Sequence, residues 1–131
     1  MASYFDKVKN FLIDLELPIS FENSEDEVFI INKEDAGIND LVIGVAEPIL
    51  IMEQTIFEVP DGKKDVYKRL LQLNGQVVHG AFVLDEDSNR VVFRDTLQLE
   101  NLDLNEIEAS INSISLMMAE FSSEIIALSK N

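Results

Sequence analysis

Few residues in this chain have the type and spacing that chemistry needs. There is one histidine, His79, followed by Gly80 in a run of strand-forming residues. A lone histidine in a strand reads as structural. No Gly-x-Ser-x-Gly precedes a helix, so the nucleophile elbow of a serine hydrolase is missing. The five glycines are scattered and match neither Gly-x-Gly-x-x-Gly nor Gly-x-x-x-x-Gly-Lys-Ser, so they build no phosphate cradle. The chain has no cysteine, which removes thiol catalysis, thiolate metal sites and disulfides, and fits a reducing cytoplasm. One stretch resembles a calcium loop, with Asp85, Asp87 and Asn89 at its first, third and fifth ligand positions. The glycine needed at the sixth position is Arg90, and the glutamate needed at the twelfth is Thr96. The flanks are strand-like, so these acids are expected to serve a hairpin turn. Carboxylates are plentiful, but no pair has a spacing or an apolar setting that would shift its ionisation. The expectation is a non-enzymatic protein with no metal and no cofactor. An acid-rich, metal-dependent enzyme is the alternative from another class.

Charge narrows the partners. Twenty-five acids against 10 bases give a net charge of −15. A nucleic-acid partner is not expected, because phosphate binding needs a basic face. An anionic membrane surface is disfavoured for the same reason. Acidity keeps an apolar protein soluble, and it also suits a basic, partly unfolded protein partner. The N-terminal residues MASYFDKVKNFLIDLEL lack the uninterrupted apolar core of a signal peptide. The apolar stretch from Leu41 to Met52 contains Glu47 and Pro48 and is too short to span a bilayer. A length of 131 residues with 47% apolar content predicts one domain over residues 1–131 with a core of its own.

The elements that would carry any site follow from periodicity. Residues 4–16 read as an amphipathic helix, with Phe5, Val8, Leu12 and Leu15 on one face, Ser3 as cap and Pro18 as stop. Strands are expected at 27–32, at 41–46 and at 49–58. The third begins apolar on both faces, with Ile49 and Ile51 on one and Leu50 and Met52 on the other. A second helix is expected after Pro60-Asp61-Gly62, with Asp61 as cap and Val66, Leu70 and Leu73 inward. Strands at 77–84 and 91–98 flank the acidic turn. A terminal helix, capped by Asp103 with Glu106 three residues on, carries Leu104, Ile107, Ile111, Ile114, Met118, Phe121, Ile125 and Leu128 at an unbroken 3-4 spacing. Short connections imply antiparallel pairing. The predicted fold is α+β: a five-stranded antiparallel sheet and three helices in the order α-β-β-β-α-β-β-α.

The terminal helix is longer than such a sheet is wide, so its end near Phe121, Ile125 and Leu128 is a candidate contact with a second subunit. That length, with the two-faced strand, leads to an expected homodimer.

Leu70-Leu71-x-Leu73-Asn74, Phe82-x-Leu84-Asp85, Val91-x-Phe93, Leu97-x-Leu99 and Leu102-Asp103-x-x-Glu106-Ile107 with Ile111 resemble the C-terminal half of type III secretion chaperone-like proteins. That group includes the Tir-chaperone family and the YbjN-like family. The resemblance covers roughly residues 64–121. It implies the same element order, a cytoplasmic, usually dimeric protein, and a role in holding an unfolded segment of another protein along apolar surface. The alternative is a YbjN-like regulatory or assembly protein with a folded partner. The candidate partner-binding residues are Leu50, Met52 and Ile56, on the face of the third strand that the helices leave open.

Overall fold

The apolar seam of the terminal helix determines how the chain packs. In the computed structural model, which describes residues 3–130, helix α3 runs from Leu104 to Leu128 and buries Ile107, Ile111, Ile114, Met117, Phe121 and Ile125. Asp103 caps it, its carboxylate accepting from the Glu106 backbone N–H at 2.9 Å. By length and mean hydropathy the helix could cross a bilayer. Its seam instead belongs to a single core shared with the sheet and the other two helices. Phe121 and Ile125, expected as a possible subunit contact, are buried in this same core.

The sheet has six strands, not five: β1 (Ile19–Asn23), β2 (Val28–Lys33), β3 (Ile38–Ala46), β4 (Ile49–Glu58), β5 (Ala81–Leu84) and β6 (Arg90–Gln98). Their order across the sheet is β1-β2-β3-β4-β6-β5, and every neighbouring pair is antiparallel. The unforeseen strand is β1. It is an edge strand of five residues in which Ile19 and Phe21 alternate with polar residues for too short a run to stand out, and none of its residues is buried. The strand expected at 77–84 starts only at Ala81. Gly80 takes φ +83, and a Cβ there would lie 2.7 Å from the Phe93 ring, so the chain turns at this point.

Helix α1 (Tyr4–Asp14) is capped as expected, Ser3 Oγ accepting from the Asp6 N–H. Its Phe5 stacks on Phe29 of β2, with centroids 4.4 Å apart. Helix α2 (Asp65–Asn74) starts later than expected, with Lys64 and not Asp61 at its N-cap. Asn74 at its end mimics a strand: its amide accepts from Phe82 N–H at 2.7 Å and donates to Phe82 C=O at 3.3 Å, setting the entry to β5.

Polar pins fix α3 on the sheet. Ser110 donates to Asp95 of β6 at 2.6 Å, Ser113 donates to the His79 carbonyl at 2.8 Å, and Ser115 donates to the Ala36 carbonyl. Gly37 (φ +73) lets the backbone approach α3, since a Cβ there would lie 2.8 Å from Met118 Cβ. Gln54, whose side-chain amide is buried, accepts from Asn39 N–H and donates to Gly37 C=O. Its hydrogen-bonding capacity is thus used inside the core.

Arg69 of α2 meets Glu124 of α3 through two guanidinium nitrogens, one at 2.9 Å. That hydrogen bond, aided by charge attraction and opposed by partial desolvation, holds the Glu124 carboxyl below the usual glutamate range. A lowered folded-state pKa contributes stability above the unfolded value, and the contribution disappears as pH falls through the folded value. The Glu124→Gln variant is therefore expected to be less stable than the native chain near pH 7, with the gap closing in acid. Urea midpoints at about pH 7 and about pH 3 check this, and a gap that fails to narrow counts against the pair.

Ile111→Asp places an unpaired charge in the buried seam. The cost is several kcal/mol against a typical total of about 5–15 kcal/mol. Loss of a cooperative thermal transition is expected, and an unchanged midpoint would refute the burial of this position.

Candidate functional site

Strand alternation gives the sheet two different faces. The helix-covered face carries Phe29 and Ile31 of β2, Leu41, Ile43 and Val45 of β3, Leu50, Met52 and Gln54 of β4, and Phe93 of β6, all buried. Leu50 and Met52, two of the three residues expected to contact a partner, are thus fully buried under the helices. The third, Ile56, sits where a bulge between Thr55 and Phe57 shifts the register of β4 against β6. It is half-buried and packs on the core.

Among the described residues, no helix packs on the opposite face. Its central row pairs Phe21 of β1 with Ile30, Ile30 with Val42, Val42 with Glu53, and Glu53 with Arg94. The next row pairs Val28 with Gly44, and Gly44 with Ile51. Phe21 is 50% exposed and Val42 41%, values that mark this as apolar surface and not core. Ile49 and Ile51, one residue either side of Leu50, are half-buried here. Gly44 lies in the middle of the patch, and a Cβ built on it would meet nothing within 4 Å. The glycine leaves a notch in an otherwise branched wall, the kind of place where another chain can approach a strand closely. The Arg94–Glu53 ion pair, at 3.0 Å, bounds the patch toward β6. Both sheet edges are short, β1 with five residues and β5 with four. On β5, Val83 and Leu84 are exposed.

The other sequence candidates are structural. His79 lies in the loop before β5 and not in a strand, and its backbone carbonyl anchors Ser113. In the acidic turn, Asp85 accepts from Ser88 Oγ at 3.1 Å and from Arg90 Nη2 at 3.0 Å. Arg90 thus supplies the positive charge that a cation would bring. Among the described residues, no cluster of three or more acids or histidines is disposed to hold a metal. No heat of binding is expected from calcium at millimolar concentration. Saturable binding that disappears in Asp85→Ala would overturn this reading.

With this geometry in hand, the chain can be compared with known proteins. The CesT_Tir_1 family model matches residues 1–131. The chain belongs to this family of type III secretion chaperones. A search of the curated proteins finds no match. Among solved structures, YbjN of E. coli aligns with a TM-score of 0.70 at 15% identity, covering 92% of each chain. SpcU-containing ExoU–SpcU, from the type III secretion system of Pseudomonas aeruginosa, aligns at 0.69 and 16% identity, covering 94% of this chain and 98% of the other. The Yersinia pestis type III secretion chaperone SycH, solved with a fragment of YscM2, aligns at 0.58 and 15% identity, covering 97% and 100%. At such identities these structures establish a shared fold, and function is argued from the site.

Proposed function

We propose that this chain is a non-enzymatic, cytoplasmic protein-binding module. It holds an extended segment of a partner protein against the helix-free face of its sheet. The observation that carries this reading is the helix-free apolar patch around the Gly44 notch, in which Phe21 and Val42 are exposed and Ile30 and Ile51 half-buried. Family membership supports it, as do structural neighbours solved as chaperone–effector complexes.

The contact residues are the neighbours of those first expected. Ile49 and Ile51 take the place of Leu50 and Met52, because a shift of one residue along a strand exchanges the two faces. A segment with alternate apolar side chains matches the period of the strands below it. Lysines at its other positions would face a chain of net charge −15. The second reading, a YbjN-like regulatory or assembly role with a folded partner, is favoured by the 0.70 alignment with YbjN.

The test uses a panel of 12-residue peptides that alternate apolar residues with lysine, read by fluorescence anisotropy. Native chain is expected to bind with micromolar affinity, and Val42→Lys to bind at least tenfold more weakly while keeping its thermal midpoint. Binding that Val42→Lys leaves unchanged would remove the open face from the reading. Copurification separates the two readings: an unfolded client supports the chaperone, and a folded partner supports the YbjN-like alternative.

A further inference from the structure

Asn74 is followed by Gly75, and no other asparagine in the chain precedes a glycine. That pairing favours an intramolecular reaction. The backbone nitrogen of Gly75 can attack the side-chain carbonyl carbon of Asn74, and a residue without a Cβ does not hinder the approach. Gly75 and Gln76 are exposed, so water reaches the junction.

The fold holds both reactants away from this reaction. Asn74 is the last residue of α2, and its helical backbone turns the Gly75 nitrogen away from Cγ. That nitrogen keeps its proton in a 3.1 Å hydrogen bond to the Gln72 carbonyl. The Asn74 amide is engaged at both ends by the Phe82 backbone, on the outer edge of β5. Both restraints depend on β5 being docked. β5 has four residues, pairs with β6 alone and is reached through a loop in which Val78 is 84% exposed. Short edge segments of this kind open locally at less cost than the core. Two further contacts secure it. The Phe82 ring stands edge-on to Phe93 at 5.3 Å, and Ser113 Oγ accepts from His79 N–H at 3.3 Å while donating to His79 C=O at 2.8 Å.

We propose that Asn74 is a site of spontaneous deamidation, blocked while β5 is docked, and that the product holds β5 open. When β5 leaves β6, the Asn74 amide is released and the end of α2 frays. The Gly75 nitrogen, having lost its proton, forms a bond to Asn74 Cγ. The Cγ–Nδ2 bond breaks and ammonia leaves with that proton, giving a five-membered imide. Water adds to either imide carbonyl and opens the ring, to aspartate or to isoaspartate. Water is the only co-reactant, and nothing is oxidised or reduced.

Either product disables the latch. An aspartate carboxylate only accepts, so it can take the Phe82 N–H but sets an oxygen against the Phe82 carbonyl where the amide donated. In isoaspartate the main chain runs through the former side chain and is one atom longer. Its carboxylate sits on a shorter stem and no longer reaches Phe82. The change is one-way: opening permits it, and it keeps β5 from closing. The inference does not rest on the client reading, because β5 is the sheet edge opposite β1 and takes no part in the patch around Gly44.

The full chain is incubated at neutral pH, folded and, as reference, unfolded in guanidinium chloride. Its tryptic fragment Leu70–Arg90 is then sequenced by mass spectrometry, which assigns the loss of ammonia and gain of water to Asn74. The unfolded chain is expected to react at least tenfold faster than the folded one, and Gly75→Ala to slow the unfolded-chain reaction at least tenfold. Ser113→Ala, which frees the loop at His79 and removes neither Asn74 bond, should speed the folded-chain reaction severalfold. In Asn74→Asp, hydrogen exchange over residues 81–84 should accelerate while that of β3 and β4 stays native. Equal rates in folded and unfolded chains overturn the blocking, and an unchanged rate in Ser113→Ala overturns β5 opening as the gate. Native-like protection of β5 in Asn74→Asp overturns the latch. Should that variant fail to fold, natural chain aged until deamidated, and separated by its added charge, gives the same exchange reading.

Discussion

The structure depends on one unequal division of apolar surface. A six-stranded sheet offers two faces, and the chain supplies helices for only one. Helix α3 carries most of that cover, a 25-residue element laid across the strands by a seam of branched and aromatic side chains. Hydrophobic burial alone is non-directional and would let the helix slide. Ser110, Ser113 and Ser115 bond to β6, to the loop before β5 and to the turn before β3, and so fix its position. With the cover fixed on one side, the other side is left as apolar, solvent-facing strand, and the functional reading starts from that remainder.

Much of this was legible in the residues. The 3-4 stripe, the Ser3 and Asp103 caps and the hairpin signals around Glu47-Pro48 and Asp85–Asn89 each have a local cause, so sequence shows them directly. β1 is not evident because its alternation, Ile19 and Phe21 against Ser20 and Glu22, is only one repeat long and buries no side chain, and its pairing with β2 shifts register between Ile19 and Phe21. The start of α2 escaped because Asp61 and Gly62 form a turn ahead of the helix, where a capping acid and a turn acid look alike.

That Leu50 and Met52 lie on the covered face and not on the open one has a more general reason. Alternation in β4 divides Ile49 and Ile51 from Leu50 and Met52, but both pairs are apolar. Which pair the helices cover is decided by α1 and α3 through contacts distant in sequence. Methionine at position 52 favoured the wrong face, because an adaptable side chain suits a core as well as a binding surface. Gly44 is the residue of the open face that packing does not explain, since a Cβ there would meet nothing within 4 Å.

The strand order also bears on how the molecule assembles in time. From β1 to β4 the sheet is a meander in which each strand pairs with the next, through local contacts that form quickly. β6 must then find β4 after a detour through α2 and β5, joining Arg90 to Glu58 across the intervening chain. Loop-closure entropy opposes that step by about 3 kcal/mol for a segment of this length, before any contact rewards it. The slow event in folding is therefore expected to be the joining of β6 to β4, when half the sheet already exists and α3 has nothing complete to lie on. Until then the β4 edge is unpaired and both sheet faces are open. The nascent protein passes through a form stickier than its product, and the acidic surface that keeps the finished molecule soluble also disfavours contact between such half-built chains.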